Sequence, residues 1–297
     1  MTASNLNTPY IGRLAPSPTG LLHLGHARTF WIAFERARAA SGALWLRDED
    51  LDPQRSRAEF SAAMKEDLHW LGITWDYEMR QSDRLSHYQA ALQQLIASGH
   101  AYPCTCSRKD LAQSTQAPHE DDDEPLYSNR CRPTLIETCH PERSEGPAVR
   151  SELHGIEPSS NYRFRVPDGE SITFCDLHAG PQSFTAGVDF GDFLIWRKPL
   201  SCNSEDIGLP SYQLACSVDD AATHITEIVR RRDLLKSTAR QILLQRALAL
   251  TTPQYFHCDL LRDGLGVRLA KRHDALALRT LREQGFTPAQ VLARFSL

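Results

Sequence analysis

The sequence lacks the features of secreted, membrane-spanning and repetitive proteins. Its first ten residues contain neither a basic stretch nor an apolar one, and no run of about 18 apolar residues occurs anywhere. A basic excess is also missing, because the net charge is −4, whereas a dedicated nucleic-acid scaffold is usually basic throughout. No internal repeat is visible. We expect a monomeric, cytoplasmic protein without membrane contact, in which any RNA binds a local basic surface.

Disulfides are not expected, although eight cysteines are present. Without a secretion signal, the thiols lie in a reducing compartment, where they are free, metal-bound or catalytic. No base is placed by the sequence near any of them, so catalytic thiol chemistry has no support. We interpret four scattered cysteines as structural: Cys175, Cys202, Cys216 and Cys258.

The start of the chain predicts a βαβ unit. A short apolar strand ends near Leu14, a helix with one apolar face follows from His26, and a second strand covers residues 43–47. Such a unit argues for a parallel sheet in an α/β protein. Asp52 and Pro53 then predict the start of a second helix, with Asp52 as its N-cap.

His23, Gly25 and His26 stand at the carboxyl end of the first strand, just before the first helix. Open α/β sheets bind ligands at that edge, and a helix N-terminus offers unpaired N–H groups to phosphate. Gly25 would allow a nucleotide to approach the backbone, and the two imidazoles would donate to phosphate oxygens as charge develops. Taken alone, this short pattern is more often a structural turn with helix-capping histidines.

The surrounding residues 13–27, RLAPSPTGLLHLGHA, resemble the signature of glutamyl- and glutaminyl-tRNA synthetases. These are class I enzymes with a Rossmann-type parallel sheet. The resemblance implies an ATP-dependent glutamate ligase. It also implies that His23 and His26 are catalytic and stabilise the pentacoordinate α-phosphate of ATP, with Gly25 in the same ATP site.

The resemblance further implies a set of glutamate-binding residues. Arg13 would grip a substrate carboxylate with its planar fork, and Ala15 and Ser17 would line the amino-acid site. Residues 47–52, RDEDLD, resemble a second family motif, in which Glu49 would face the substrate α-amino group. A bare acid-rich run would otherwise be a solvated loop.

Two later segments resemble the family as well. LPSYQLA at residues 209–215 contains Tyr212, an implied glutamate contact that would otherwise be a half-buried core tyrosine. IVR at residues 228–230 ends in Arg230, the implied second cation, facing the side-chain carboxylate of glutamate. Two arginines around a small diacid would reject glutamine, whose amide does not pair with a charged fork.

The second signature loop is altered. RLAKR at residues 268–272 resembles the family's K-[ML]-S-K-[SR]. Lys271 matches the catalytic lysine that contacts the ATP phosphates, which bring Mg²⁺ with them. Arg268 keeps the charge of the first lysine and is also implied to bind ATP, whereas Ala270 lacks the usual hydroxyl. Taken alone, RLAKR would be the start of a surface helix.

Cys104, Cys106 and Cys131 supply three thiolates, and a structural zinc site needs a fourth ligand. The resemblance implies a C-x-C…Y-x-x-x-C site of shortened glutamyl-synthetase relatives, with Tyr127 as the fourth ligand of one structural Zn²⁺. Three free thiols without a metal stay an alternative. The competing fourth ligands are His119, Cys139 and His140.

We expect residues 1–100 and 191–297 to form the two halves of the Rossmann-type catalytic core. Residues 101–190 would form an inserted zinc-bearing, acceptor-type subdomain. Within it, Glu120–Glu124 is interpreted as a solvated loop and Cys139–Arg150 as an insertion without chemistry. Only 25 residues follow residue 272, so we expect no anticodon-binding domain, which would need roughly a hundred.

The acceptor of the glutamyl group follows from the same resemblance. Shortened members of the family with this cysteine pattern transfer glutamate to the queuosine base in the anticodon loop of tRNA(Asp). The partners implied are thus ATP, L-glutamate and queuosine-bearing tRNA(Asp), with activation of glutamate independent of tRNA. Two alternatives stay open: a truncated synthetase that charges tRNA(Glu) with a partner, and a catalytically weak nucleotide- or RNA-binding paralogue.

Overall fold

The computed structural model describes residues 9–106, 126–133, 160–199, 208–261 and 277–296. Some sequence predictions concern residues outside these ranges: Arg268, Ala270, Lys271, Cys202, the competing ligands His119, Cys139 and His140, the Glu120–Glu124 run and the Cys139–Arg150 segment.

The described ranges contain strands of two to six residues. In chain order they are β1 (Ile11–Leu14), β2 (Ala43–Asp48), β3 (Tyr77–Arg80), β4 (Ala101–Cys104), β5 (Asn161–Phe164), β6 (Ser171–Asp176), β7 (Gly180–Thr185), β8 (Phe193–Arg197), β9 (Leu209–Pro210), β10 (Glu227–Arg231) and β11 (Gln254–Cys258). The α-helices between and after them are α1 (Leu24–Ala39), α2 (Ala58–Trp70), α3 (Leu85–Ala97), α4 (Tyr212–Ala222), α5 (Leu235–Ala247), α6 (Leu278–Glu283) and α7 (Pro288–Ala293). Short 3₁₀ turns cover Gln81–Arg84, Arg232–Leu234 and Arg294–Ser296.

The central layer is parallel. β2 pairs in parallel with both β1 and β3, and β10 pairs in parallel with β11. β10 lies beside β1, where the N–H of Thr226 donates to the carbonyl of Ile11 at 2.9 Å. The β6–β7 hairpin joins the far edge through the parallel pair of Asp176 and Tyr255. The predicted α/β class with a parallel sheet is confirmed.

A second sheet is antiparallel and consists of β4, β5, β8 and β9. It brings Cys104, the last residue of β4, to the same region as Tyr127. The division of the chain at residues 100 and 190 stays a prediction.

Alternation along the strands covers both faces of the parallel sheet. In β2, Leu44 and Leu46 belong to the core formed with α1, α2, α6 and α7, whereas Trp45 packs on the core formed with α3, α4 and α5. Since both faces are packed, the open positions are the carboxyl ends of the strands. In the described part of the chain, no helix has the length and apolar character needed to cross a membrane.

The predicted start of α2 is wrong. The helix begins at Ala58, not at Pro53, and Asp52 accepts instead from the N–H of Gln54 at 3.1 Å within a turn. The N–H of Arg57 donates to the carbonyl of Pro18 at 3.1 Å. This bond ties the segment to the loop after β1, which keeps it out of the helix.

Candidate active site

A cleft of about 500 Å³ opens at the carboxyl ends of β1, β2 and β10. This is the edge at which open α/β sheets bind ligands. Eight residues predicted from the sequence line it: Arg13, Ala15, Ser17, His23, His26, Glu49, Tyr212 and Arg230. The structure thus brings residues from four separate segments to one cavity.

The two histidines lie at the start of α1. The carbonyl of His23 accepts from the N–H groups of His26 and Ala27, both at 3.0 Å, and His23 is the N-cap residue. The two imidazole rings are 6.4 Å apart, edge to face. A Cβ atom at Gly25 would meet no other atom within 4 Å. The helix start therefore combines two imidazoles with open space beside the backbone.

Glu49 lies just after β2, with one carboxylate oxygen held by three donors. Arg47 donates to Oε1 from Nη2 at 2.9 Å and from Nε at 3.2 Å, and the Cys216 thiol donates to it at 3.3 Å. Oε2 accepts from the Ser17 hydroxyl at 3.5 Å. Since Oε1 is engaged, Oε2 is the oxygen left for a cationic ligand in the cleft.

A buried carboxylate links Arg47 to Arg13. Asp220 accepts from Nη1 of Arg47 at 2.6 Å and lies 3.6 Å from Nε of Arg13. Arg13 also donates from Nη1 to the carbonyl of Val229 at 3.0 Å, on β10. Because the carboxylate of Asp220 and the carbonyl of Val229 both contact the guanidinium of Arg13, this group has a fixed position at the cleft wall.

Arg230, on β10, is 4% exposed and makes contacts with neutral groups. Its Nη1 donates to Gln241 at 2.9 Å and to the Tyr212 hydroxyl at 3.4 Å, and its Nη2 donates to Thr238 at 2.6 Å. Nε donates to Nε2 of His257 at 3.1 Å. Burial, together with the Arg230 charge, lowers the pKa of His257 to about 4, so this imidazole is neutral near pH 7.

The three predicted zinc cysteines form a second site, on the antiparallel sheet. The thiols of Cys104, Cys106 and Cys131 all lie within 4.8 Å of one another. The Tyr127 hydroxyl is 3.5 Å from the first two thiols, and it accepts from the N–H of Cys131 at 2.9 Å. The group can hold a metal ion.

These separations fit a tetrahedral ion. With metal–sulfur bonds of about 2.3 Å, the edges of a tetrahedron of sulfur atoms are about 3.8 Å. Cys106 and Cys131 are 3.5 Å apart, and the two distances from Tyr127 to sulfur are also 3.5 Å. Burial opposes ionisation of Cys131, but hydrogen bonds, first of all with Tyr127, lower its pKa to about 6.

Arg163 supports this second site from β5. Its Nε donates to the Cys104 sulfur at 3.3 Å, and its guanidinium lies 3.9 Å from the centre of the Tyr127 ring. Nη1 donates to the carbonyl of Asp192 at 2.9 Å, which fixes the side chain. A buried cation beside a thiol stabilises its thiolate form.

The sequence model of the family described as tRNA synthetases class I (E and Q), catalytic domain, matches residues 11–297. The chain belongs to this family. The predicted membership of the glutamyl and glutaminyl class I synthetases is therefore confirmed, as is the prediction of an ATP-dependent glutamate ligase.

Several curated relatives share the name glutamyl-Q tRNA(Asp) synthetase. The protein of Geobacter sulfurreducens is 43% identical over 277 residues, covering 93% of this chain and 79% of the relative. That of Symbiobacterium thermophilum is 42% identical over 295 residues, covering 96% and 85%. The glutamate–tRNA ligase of Aquifex aeolicus is 37% identical over 276 residues, covering 93% of this chain and 54% of the relative.

A solved structure is also similar, that of a glutamate tRNA ligase from Elizabethkingia meningosepticum in complex with its amino acid. It has a TM-score of 0.70 at 27% identity, and the match covers 94% of this synthetase chain. The chain spans about half the length of that ligase, because the match covers 54% of it.

Sequence reasoning missed several side chains that hold the site residues. The sequence motif that contains Arg47 predicts no contact for it, and Cys216, predicted to be structural, donates from its thiol to Glu49. Asp176 and His257 lie 81 positions apart, and no local pattern connects them. The position of Arg47 near the end of an apolar strand is a sequence signal that could have indicated a buried, functional arginine.

Proposed function

We propose that this synthetase activates L-glutamate with ATP, without tRNA, and transfers the glutamyl group to queuosine in the anticodon loop of tRNA(Asp). The observation that carries glutamate activation is that one cleft is lined by the carboxylate of Glu49, whose Oε2 has only a long contact from Ser17, and by two buried guanidinium groups, Arg13 and Arg230. The name shared by the relatives at 37–43% identity supports the acceptor.

The roles in the amino-acid site follow from charge. Glu49 binds the substrate ammonium through Oε2, and Arg13 and Arg230 bind the two carboxylates, with Tyr212 beside Arg230. Ala15 and Ser17 line the same wall of the cleft.

The first step joins the amino acid to the nucleotide. A carboxylate oxygen of glutamate attacks the α-phosphorus of ATP, and pyrophosphate leaves as the P–O bond to it breaks. His23 and His26 donate to the phosphate oxygens as negative charge develops, and the N-terminus of α1, with Gly25, receives the phosphate. Arg268 and Lys271 bind the β- and γ-phosphates. Mg²⁺ bound with ATP would supply positive charge to the leaving pyrophosphate.

In the second step, a hydroxyl of the queuosine cyclopentene diol attacks the acyl carbon of glutamyl-adenylate. The ester bond forms, the bond between the acyl carbon and the phosphate oxygen breaks, AMP leaves, and the hydroxyl proton is released to solvent. The sulfur atoms of Cys104, Cys106 and Cys131 and the Tyr127 oxygen would hold the proposed zinc ion. Its role would be structural, since none of these four residues lines the cleft.

Two assays on the purified enzyme test the function. Glutamate-dependent ATP–pyrophosphate exchange without tRNA is expected for the wild type, and absence of exchange would refute activation without tRNA. Labelled glutamate should then reach tRNA(Asp) that contains queuosine, but not the same tRNA without it. The relatives named glutamate–tRNA ligase favour tRNA(Glu) as a second candidate acceptor; transfer to tRNA(Glu) alone would refute the queuosine assignment.

Glu49→Gln tests the site. Arg47 and Cys216 dictate that the amide oxygen occupies the Oε1 position, so the amide NH₂ replaces Oε2 and faces the substrate ammonium. We expect KM for glutamate to rise at least about 10-fold, with KM for ATP nearly unchanged. Glu35→Gln, the same change at an exposed position of α1, is the matched control. Equal KM values for the two variants would contradict the proposed role.

A further inference from the structure

Three buried side chains form a continuous hydrogen-bonded series behind the cleft. Nε of Arg230 donates to Nε2 of His257 at 3.1 Å, and Nδ1 of His257 lies 2.6 Å from Oδ2 of Asp176. The exposed fractions of Arg230, His257 and Asp176 are 4%, 0% and 2%. This hydrogen-bonded series thus connects β10 through β11 to β6, away from solvent.

Arg230 and Asp176, the two ends of this hydrogen-bonded series, determine which nitrogen of His257 carries the proton. Arg230 carries only donors, so Nε2 of His257 must accept and the imidazole proton must lie on Nδ1. Burial alone would raise the pKa of Asp176, but hydrogen bonds from backbone N–H groups and from His257 lower it below its ordinary value. Asp176 is therefore an anion that accepts the Nδ1 proton and fixes this tautomer.

We propose that His257 and Asp176 are positioning residues of the glutamate site, which hold the Arg230 guanidinium in place while leaving its charge for a substrate carboxylate. This inference rests on the proposed function, because it takes glutamate as the ligand of Arg230. Neither residue lines the cleft, so each would act through Arg230.

The neutral imidazole matters because it separates two opposite charges. An arginine in direct contact with a carboxylate has its field largely cancelled, as in the pair of Arg47 and Asp220 at 2.6 Å. Among the described residues, Arg230 donates hydrogen bonds only to neutral groups, those of His257, Thr238, Gln241 and Tyr212, and its guanidinium lies 5.3 Å from the centre of the Tyr255 ring. A buried guanidinium without a carboxylate partner in these ranges is strongly favoured to bind an anionic ligand.

Asp176→Asn is the most specific perturbation, because it replaces one carboxylate oxygen with an NH₂ group and leaves the shape of the side chain unchanged. Three backbone N–H groups, of His178, Ala179 and His257, donate to Oδ1 at 2.7–3.2 Å, so the amide oxygen of Asn must occupy that position. The amide NH₂ then faces Nδ1 of His257 as a donor. The imidazole proton is forced to Nε2, where it opposes the N–H of Arg230.

Substitutions of His257 separate its two contacts. Gln places its amide near the Nε2 position and keeps an acceptor for Arg230, whereas Asn places its amide near Nδ1 and reaches only Asp176. We expect Asp176→Asn and His257→Asn to weaken L-glutamate binding by about 10- to 100-fold, and His257→Gln to weaken it less. KM for ATP should stay nearly unchanged in all three. His69→Asn, on the exposed side of α2, is the matched control.

The readouts are the Kd for L-glutamate from isothermal titration calorimetry and the KM values from pyrophosphate exchange, on variants shown by thermal unfolding to be folded. A rise in the glutamate constants alone supports the positioning role. Equal rises for glutamate and ATP, or unchanged glutamate binding in Asp176→Asn and His257→Asn, would overturn it. Wild-type enzyme that binds no glutamate would overturn the proposed function as well, so the two failures are distinguishable.

Discussion

Replacing Arg47 with Met should destabilise the protein more than any exposed charge reversal. Arg47 is 2% exposed, and it holds Glu49 and Asp220, whose side chains are 8% and 3% exposed. The methionine side chain replaces the apolar stem of arginine but is shorter and donates no hydrogen bond. Two carboxylates would therefore remain at the base of the cleft, and among the described residues Arg13, 3.6 Å from Asp220, would compensate part of the charge on that group.

The magnitude follows from the burial of these groups. Removing one partner of a buried ion pair destabilises a protein by about 3–5 kcal/mol, because the remaining charge is desolvated and unpaired. A domain of this kind has a free energy of unfolding of about 5–15 kcal/mol. At roughly 2–4 °C per kcal/mol, Tm should fall by about 10 °C.

Urea unfolding followed by circular dichroism measures the change in free energy. Arg55→Met is the matched control, because Arg55 is 73% exposed and pairs with Asp52 on the surface; we expect a change within about 0.5 kcal/mol. The double variant Arg47→Met/Asp220→Asn should recover part of the loss, since it removes one stranded charge. A loss below about 1 kcal/mol in Arg47→Met would refute this reasoning.

Three further outcomes can be checked. Burial raises the pKa of Asp67 to about 6, against the weaker effect of Arg279, whose Nε lies 3.8 Å from Oδ1. Among the described residues, neither carboxylate oxygen has a hydrogen-bond partner, so the free energy of unfolding should rise as pH falls from about 6 to 4. Asp67→Asn should raise it at pH 7.5 by up to about 3 kcal/mol, and no gain would contradict this. Cys131→Ser should abolish the zinc found by elemental analysis, whereas Cys175→Ser at an exposed position should retain it; equal zinc in both would refute the proposed ligand. Arg163→Met should weaken zinc binding by about 10-fold, measured by competition with a chelator, because the Cys104 thiolate loses its neighbouring cation; unchanged affinity would refute the contribution of Arg163.

Contiguous motifs allowed much of the site to be predicted from the sequence. His23, Gly25 and His26 lie within one run of residues that determines a strand, a loop and a helix start, so their position follows from local structure. Glu49 follows β2 directly, and the rule that parallel strands present their carboxyl ends at one edge brings it to the same cavity.

The supporting contacts depend on tertiary packing and were not predictable in the same way. Asp220 meets Arg47 across 173 positions of sequence, and Asp176 meets His257 across 81. From the sequence alone, an acidic or basic residue is interpreted as solvent-exposed. A charged side chain is stable in the interior only where a partner compensates its charge, and that partner can be distant in sequence. The prediction of the start of α2 was wrong for a related reason. The hydrogen bond from Arg57 to the loop after β1 is a tertiary contact, which the local capping signal of Asp52 and Pro53 does not reveal.

The charges around the cleft favour glutamate over glutamine as a set. Arg13 and Arg47 lie beside the carboxylate of Asp220, and Arg47 also pairs with Glu49. Arg230 instead contacts neutral groups, and the neutral imidazole of His257 separates it from the anion of Asp176. Glutamate carries one net negative charge near pH 7, but glutamine carries none. In the proposed site, the side-chain carboxylate of glutamate would pair with Arg230, whereas glutamine would leave this guanidinium desolvated and without an anionic partner. We therefore expect selection against the amide to come from the charge of Arg230 as well as from hydrogen-bond geometry.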